Sequence, residues 1–191
     1  LLSMATIVST ASCFYSREII SSLYDSHLEE SSSVFRLLMP AFIAVSAVNI
    51  FGTLLTANGN FRFLNLIALL GLIINFSLNL FLIPVMLATG SAIASLVTQF
   101  TMAILQVIMV QRIFRFRFNG RYLMEVGVFV TGVVAISWFT RQLVIPVPFA
   151  PPHLQWLANL FLMLISSAFL AMALRLWNIG QFVRIIRQDR V

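Results

Sequence analysis

The residues of this chain that could do chemistry are neutral hydrogen-bonding side chains set into long apolar stretches. Ser46, Asn49, Thr53 and Thr56 share one sector of a helical wheel. Asn75 and Asn79 do so with Asn65, and Ser91, Ser95, Thr98 and Gln106 form a third set with Met102 among them. Amides and hydroxyls donate and accept hydrogen bonds without moving a proton. They can hold a hydroxylated ligand, line a water path, or tie helices together. Serine and threonine at four-residue spacing are read as packing groups, as are Gly90/Ala94, Ser91/Ser95 and Gly127/Thr131. For Asn49, Asn75 and Asn79, ligand contact and packing are both open.

Groups that would carry covalent or acid–base chemistry are missing from such positions. No HExxH, GxSxG, CxxC or phosphate-loop spacing occurs. His27 and His153 fall in expected loops far apart in sequence, so neither a metal site nor a catalytic pair is expected, and no cofactor is implied. The lone Cys13 excludes an intrachain disulfide. No acidic residue falls deep within a clear apolar run, where ion-coupled transporters commonly keep one.

The elements that hold these polar faces are set by hydropathy. Residues 37–57, 63–83, 88–110 and 154–174 contain no Asp, Glu, Lys or Arg. Each run matches the roughly 20 residues with which a helix crosses roughly 30 Å of hydrocarbon. Hydrophobic residues make up 60% of the chain and charged residues 9%, against roughly 25% charged in soluble domains. We therefore expect an all-α, polytopic transmembrane bundle of about six spans, near 1–23, 37–57, 63–83, 88–110, 122–145 and 154–174. A basic amphipathic tail at 178–191 would lie on the cytoplasmic surface against anionic lipid. Residues 1–16 read as the inside of a helix already under way, so we expect the C-terminal portion of a longer protein.

The net charge of +6 comes entirely from arginine and does not imply nucleic-acid binding, because the arginines flank apolar runs. Arg62, Arg112, Arg115, Arg117, Arg121, Arg175, Arg184, Arg187 and Arg190 fall on one side of the expected topology. Arg17, Arg36 and Arg141 fall on the other, with Asp25, Glu29 and Glu30. Basic loops stay cytoplasmic, which places both ends of the chain inside. Tyr24, Trp138 and Trp156 near outer ends, and Tyr122 and Trp177 near inner ones, fit headgroup anchoring. Asn58-Gly59-Asn60 reads as a tight inner turn. Pro84 is expected to end the third span, Pro146, Pro148, Pro151 and Pro152 to stiffen an outer loop, and Pro40 to kink the second span. Ser26-His27-Leu28-Glu29 has the form of a capping box opening a short outer helix.

Residues 54–99 resemble the C-terminal region of bacterial polysaccharide-export flippases, in the multidrug/oligosaccharidyl-lipid/polysaccharide exporter superfamily. The resemblance rests on Leu55-Thr56-Ala57-Asn58-Gly59, on Asn75 with Ser77-Leu78-Asn79, on Ile83-Pro84, and on Thr89-Gly90-Ser91-Ala92-Ile93-Ala94-Ser95. Val85-Met86-Leu87-Ala88 departs from the aromatic-Gly pair common in relatives. The resemblance implies one lobe of a two-lobed rocking transporter in the bacterial inner membrane. Its partners would be the other lobe, membrane lipids and a lipid-linked oligosaccharide cargo, an undecaprenyl-pyrophosphate-linked sugar unit. Asn49, Thr53, Asn75 and Asn79 would then face the sugar. Arg36 and Arg17 would be the first candidates for the pyrophosphate, with Arg62 a cytoplasmic alternative. A drug/cation antiporter of the same superfamily, and the membrane part of a glycan polymerase or ligase, are the alternative expectations.

Overall fold

The computed structural model describes residues 1–24, 27–115, 120–143 and 155–174, the side chains of 120–123 and 155 apart. Every regular element among these residues is an α-helix. The chain divides into two compact units, Leu1–Phe118 and Asn119–Val191. The first holds α1 (Leu2–Phe14), α2 (Ser16–Ser21), α3 (Leu28–Leu38), α4 (Ala41–Ala57) and α5 (Phe61–Phe114). The second holds α6 (Gly120–Gln142) and α7 (Gln155–Ala173). Among the described residues, four helical runs are long and apolar enough to cross a membrane: Leu28–Ala57, Phe61–Phe114, Met124–Gln142 and Trp156–Ala173.

The 54 residues of α5 are a hairpin rather than one rod. At Leu87 the backbone takes φ 51° and ψ −127°, and the helix folds back on itself. Three contacts give the pairing. Gly71 lies under Met102, Asn75 reaches Thr98, and Leu82 lies against Gly90. Partners rise in number on one arm as they fall on the other, so the arms are antiparallel. Each arm is about 40 Å long at 1.5 Å per residue, enough to cross roughly 30 Å of hydrocarbon. The expected spans 63–83 and 88–110 fall on these two arms.

The reversal does not occur at Pro84, which sits inside the first arm. Proline holds φ near −65°, as a helix does, so one missing N–H does not stop the coil. The break from helical geometry here is a positive φ, which proline cannot adopt and Leu87 does. A leucine there stores strain of about 1–3 kcal/mol.

The α4–α5 connection follows from local chemistry. Gly59, at φ 75°, ends α4 in the left-handed region. Its N–H bonds Thr56 O at 2.9 Å, and the Asn60 N–H bonds Leu55 O at 3.0 Å. These two bonds form a Schellman cap, which satisfies the last carbonyls of α4. Only Gly59 uses positive φ; Asn58 and Asn60 stay at φ −89° and −85°.

At the start of the chain, the expected span 1–23 is two helices parted at Tyr15 (φ −105°, ψ 21°). The 13 residues of α1 reach about 20 Å. The expected outer helix before the second span is α3. Its N-cap is His27, at φ 55° and without a side-chain capping bond, and Ser26 of the capping-box reading lies outside the described residues. So do the prolines at 146–152 and the tail 178–191.

In the second unit α6 and α7 pack antiparallel. Gly132 lies against Leu170, and Asn159 Nδ2 donates to Leu143 O at 2.8 Å. Their seam is Phe129, Val133, Ser137 and Thr140 against Met163, Ser167 and Ala171, all buried. The expected Gly127/Thr131 pair lies on the exposed side of α6, away from the four-residue steps Phe129, Val133 and Ser137 that enter the seam. Gly90 and Ala94, in contrast, are both buried in the α5 hairpin.

A methyl group added at Gly90 would sit 2.5 Å from the Leu82 carbonyl oxygen, which is backbone and cannot turn aside. At Gly71 the obstacle is Met102 Sδ, the end of a flexible side chain. Gly90→Ala should therefore destabilise by about 1–3 kcal/mol, and Gly71→Ala by less. Thermal unfolding of the purified protein in detergent checks the order, and equal losses would refute this account of the hairpin.

Candidate functional site

The α5 hairpin brings together the amides that the sequence places on one helix face. Asn75 and Asn79 lie one turn apart on the first arm, two turns before the reversal, and Thr98 faces them from the second. Asn79 Nδ2 donates to both Asn75 O and Asn75 Oδ1 at 2.9 Å. Asn75 Nδ2 donates in turn to Thr98 Oγ1 at 3.4 Å, and Thr98 Oγ1 donates to Ala94 O at 2.7 Å. The result is a relay of donors from Asn79 to a main-chain carbonyl, with its acceptors used up in order. One acceptor is left over: Asn79 Oδ1 is buried and has no hydrogen-bond partner.

A second unpaired acceptor lies on the same side of the second arm. Gln106 is 2% exposed, its amide rests over Gly52 of α4, and its Oε1 has no partner. A Cβ at position 52 would stand 3.5 Å from Oε1, an ordinary van der Waals contact, so the amide packs directly on this face of α4. Leaving a buried acceptor unmet costs about 1–3 kcal/mol. Both oxygens are thus primed for a donor such as water or a hydroxyl. Sequence reasoning placed Thr98 and Gln106 on a polar face but assigned them no ligand role. The signal was their spacing with Met102, and only the hairpin register reveals what each one meets.

Asn49 and Thr53 are exposed on α4, where Thr53 Oγ1 donates to Asn49 O at 2.7 Å. Among the described residues no hydrogen bond links this pair to Asn75 or Asn79. An exposed amide in the middle of an apolar helix is costly against lipid, so this face of α4 belongs against water or another protein surface.

Arg17 and Arg36 lie apart from the amides, on α2 and α3, and both are exposed. Arg17 Nη2 pairs with Glu29 Oε1 at 2.7 Å, with both side chains mostly in solvent, so the pair contributes under about 1 kcal/mol. Arg36 makes no ion pair among the described residues. No group of three His, Cys, Asp or Glu side chains capable of holding a metal occurs among the described residues.

The groove between α6 and α7, about 420 Å³ in volume, is lined by Ile136, Phe139, Leu143 and Leu162 with Thr140 and Ser166. The two hydroxyls donate to carbonyls of their own helices, so the groove offers hydrocarbon and no chemistry.

No protein-family model matches the chain, and no curated protein matches it.

The relay makes its members unequal. Asn75→Ala removes both a donor and an acceptor and should cost about 1–3 kcal/mol. Thr98→Val leaves Asn75 one unmet donor and should cost less, since Thr98 otherwise bonds only its own helix. Comparative melting of the two variants measures this, and a Thr98→Val loss exceeding that of Asn75→Ala would contradict the relay.

Proposed function

We propose that the protein moves undecaprenyl-pyrophosphate-linked sugar units across the bacterial inner membrane by alternating access, as one lobe of a rocking transporter without covalent chemistry. The observation that carries the reading is the unpaired Asn79 Oδ1 at the head of the Asn75–Thr98 relay. A neutral, buried acceptor suits a hydroxyl-rich headgroup better than it suits a cation, which would favour an acidic site. The resemblance to export flippases adds support, because the residues that carry it do identifiable work here. Leu55, Thr56 and Gly59 make the Schellman cap, Asn75 and Asn79 make the relay, and Gly90 with Ala94 closes the hairpin.

The charge distribution supports an inner-membrane orientation. Arg62, Arg112 and Arg115 are exposed at the open end of the hairpin, beside the Gly59 turn. Glu18, Glu29 and Glu30 sit on α2 and α3, which precede the other end of α4. By the positive-inside rule the arginine end is cytoplasmic, and Leu87 is then periplasmic. A single cysteine at position 87 in a Cys13→Ser background should react with an impermeant maleimide in intact spheroplasts. One at Asn58 should react only after permeabilisation, and the reverse pattern would overturn the orientation.

Loss of the protein should make undecaprenyl-linked sugar units accumulate on the cytoplasmic leaflet. Asn75→Leu with Asn79→Leu should slow their translocation at least tenfold while membrane levels of protein stay normal. Unimpaired translocation in that double variant would return the relay to a packing role. Drug efflux lost in its place would favour an antiporter of the same superfamily.

A further inference from the structure

Between α3 and α4 the helical ladder is interrupted. Pro40 has no N–H, so Arg36 O, four residues back, loses the donor that any other residue would supply. The turn that follows is tightened. Phe42 N–H bonds Met39 O at 3.0 Å and Ile43 N–H bonds Pro40 O at 3.1 Å, each three residues back instead of four. Met39 and Pro40 nevertheless keep helical angles (φ −60°, ψ −41° and φ −60°, ψ −29°). The joint is thus a weakened point within the 30-residue run Leu28–Ala57, not a reversal.

Two side chains of α1, one turn apart on the same face, meet the carbonyls at this point. Cys13 Sγ lies 3.4 Å from Arg36 O and donates to it, and Ser9 Oγ donates to Met39 O at 2.8 Å. The behaviour of Ser9 is distinctive. Its neighbours Thr6 and Thr10 turn their hydroxyls back to carbonyls of α1 itself, Leu2 O and Thr6 O. Ser9, 2% exposed, instead spans the helix interface. Cys13 gives Arg36 O the donor that Pro40 withholds, Ser9 adds a second donor to Met39 O beside Phe42 N–H, and both bonds tie the angle of the joint to the position of α1.

We propose that the Met39–Pro40 joint is a hinge and that Ser9 and Cys13 of α1 are its latch. With α1 in place, Arg36 O has a donor, Met39 O has a second one, and α3 is held at one angle to α4. When α1 moves away, Arg36 O must find water and Met39 O keeps only Phe42 N–H, and the bend is released because fewer bonds resist it. The device is independent of what the protein carries.

The hinge is tested by the distance between spin labels at exposed Ser33 on α3 and Ala57 on α4, in the full chain in nanodiscs. A Cys13→Ser background leaves only the two labelled cysteines and keeps an O–H donor at position 13. That background should give one narrow distance. Adding Ser9→Ala, or replacing Cys13 by alanine in place of serine, should raise a second distance population about fivefold. Ser9→Thr keeps the hydroxyl and should retain the single distance. Pro40→Ala restores the missing N–H and should give the longer distance of an unbroken helix. In that variant Ser9→Ala should have no further effect. Distances unchanged by the latch variants would overturn the proposal, as would an effect of Ser9→Ala that is equally large with Ala at position 40. If Ser9→Ala does not yield folded protein, the Cys13→Ala and Cys13→Ser pair makes the same comparison.

Discussion

In a hydrocarbon environment each backbone N–H and C=O must find its partner within the protein, and the architecture of this chain follows from that requirement. Helices meet it along their length, so trouble arises only at ends and breaks. The end of α4 is closed by the Schellman bonds at Gly59 and Asn60. The break at Pro40 is met from outside its own helix by Cys13 at Arg36 O and braced by Ser9 at Met39 O. Hydroxyls inside helices turn back on the carbonyl four residues earlier, as at Thr53, Thr56, Thr98, Ser137 and Thr140. Such back-bonding hides the hydroxyl and leaves a helix face apolar in practice.

Against that economy stand a few buried groups without a partner among the described residues, including Asn159 Oδ1 and Ser167 Oγ in the second unit and two amide oxygens of the α5 hairpin. Asn79 Oδ1 and Gln106 Oε1 are acceptors with no backbone obligation and no side-chain partner. They lie on a hairpin whose arms approach closely through Gly71 and Gly90, where side chains would collide with Met102 and the Leu82 carbonyl. Close approach excludes lipid from between the arms, so the amides face protein and a site of low polarity. A hydrogen bond formed there is stronger than in water, and an unmet acceptor is correspondingly more costly. The same feature that makes the relay a good clamp between helices makes its unpaired end receptive to a donor.

Much of the fold was legible in hydropathy. The apolar runs at 63–83 and 88–110 identified both arms of α5, and Asn58-Gly59-Asn60 identified its entry. The gap at 84–87 between those runs contained the reversal, but the residue that makes it was not legible, because Leu87 has no turn chemistry of its own. The division of residues 1–23 at Tyr15 was hidden for a related reason, since no proline or glycine marks it. The candidate site was half legible. Helical spacing put Asn75 beside Asn79, but their partner Thr98 lies 23 positions away in sequence, and no periodicity connects the two arms.

The sequence by itself determined the solvent this protein requires, the helical class, and the polar faces that must turn from lipid. These depend on composition and on a period of 3.6 residues, both local properties. Only the tertiary structure decided which carbonyl Ser9 reaches, which arm presents Thr98 to Asn75, and which acceptors are left unmet. Pairing between helices depends on register and on close approach, and those arise from contacts between residues that the chain order keeps far apart.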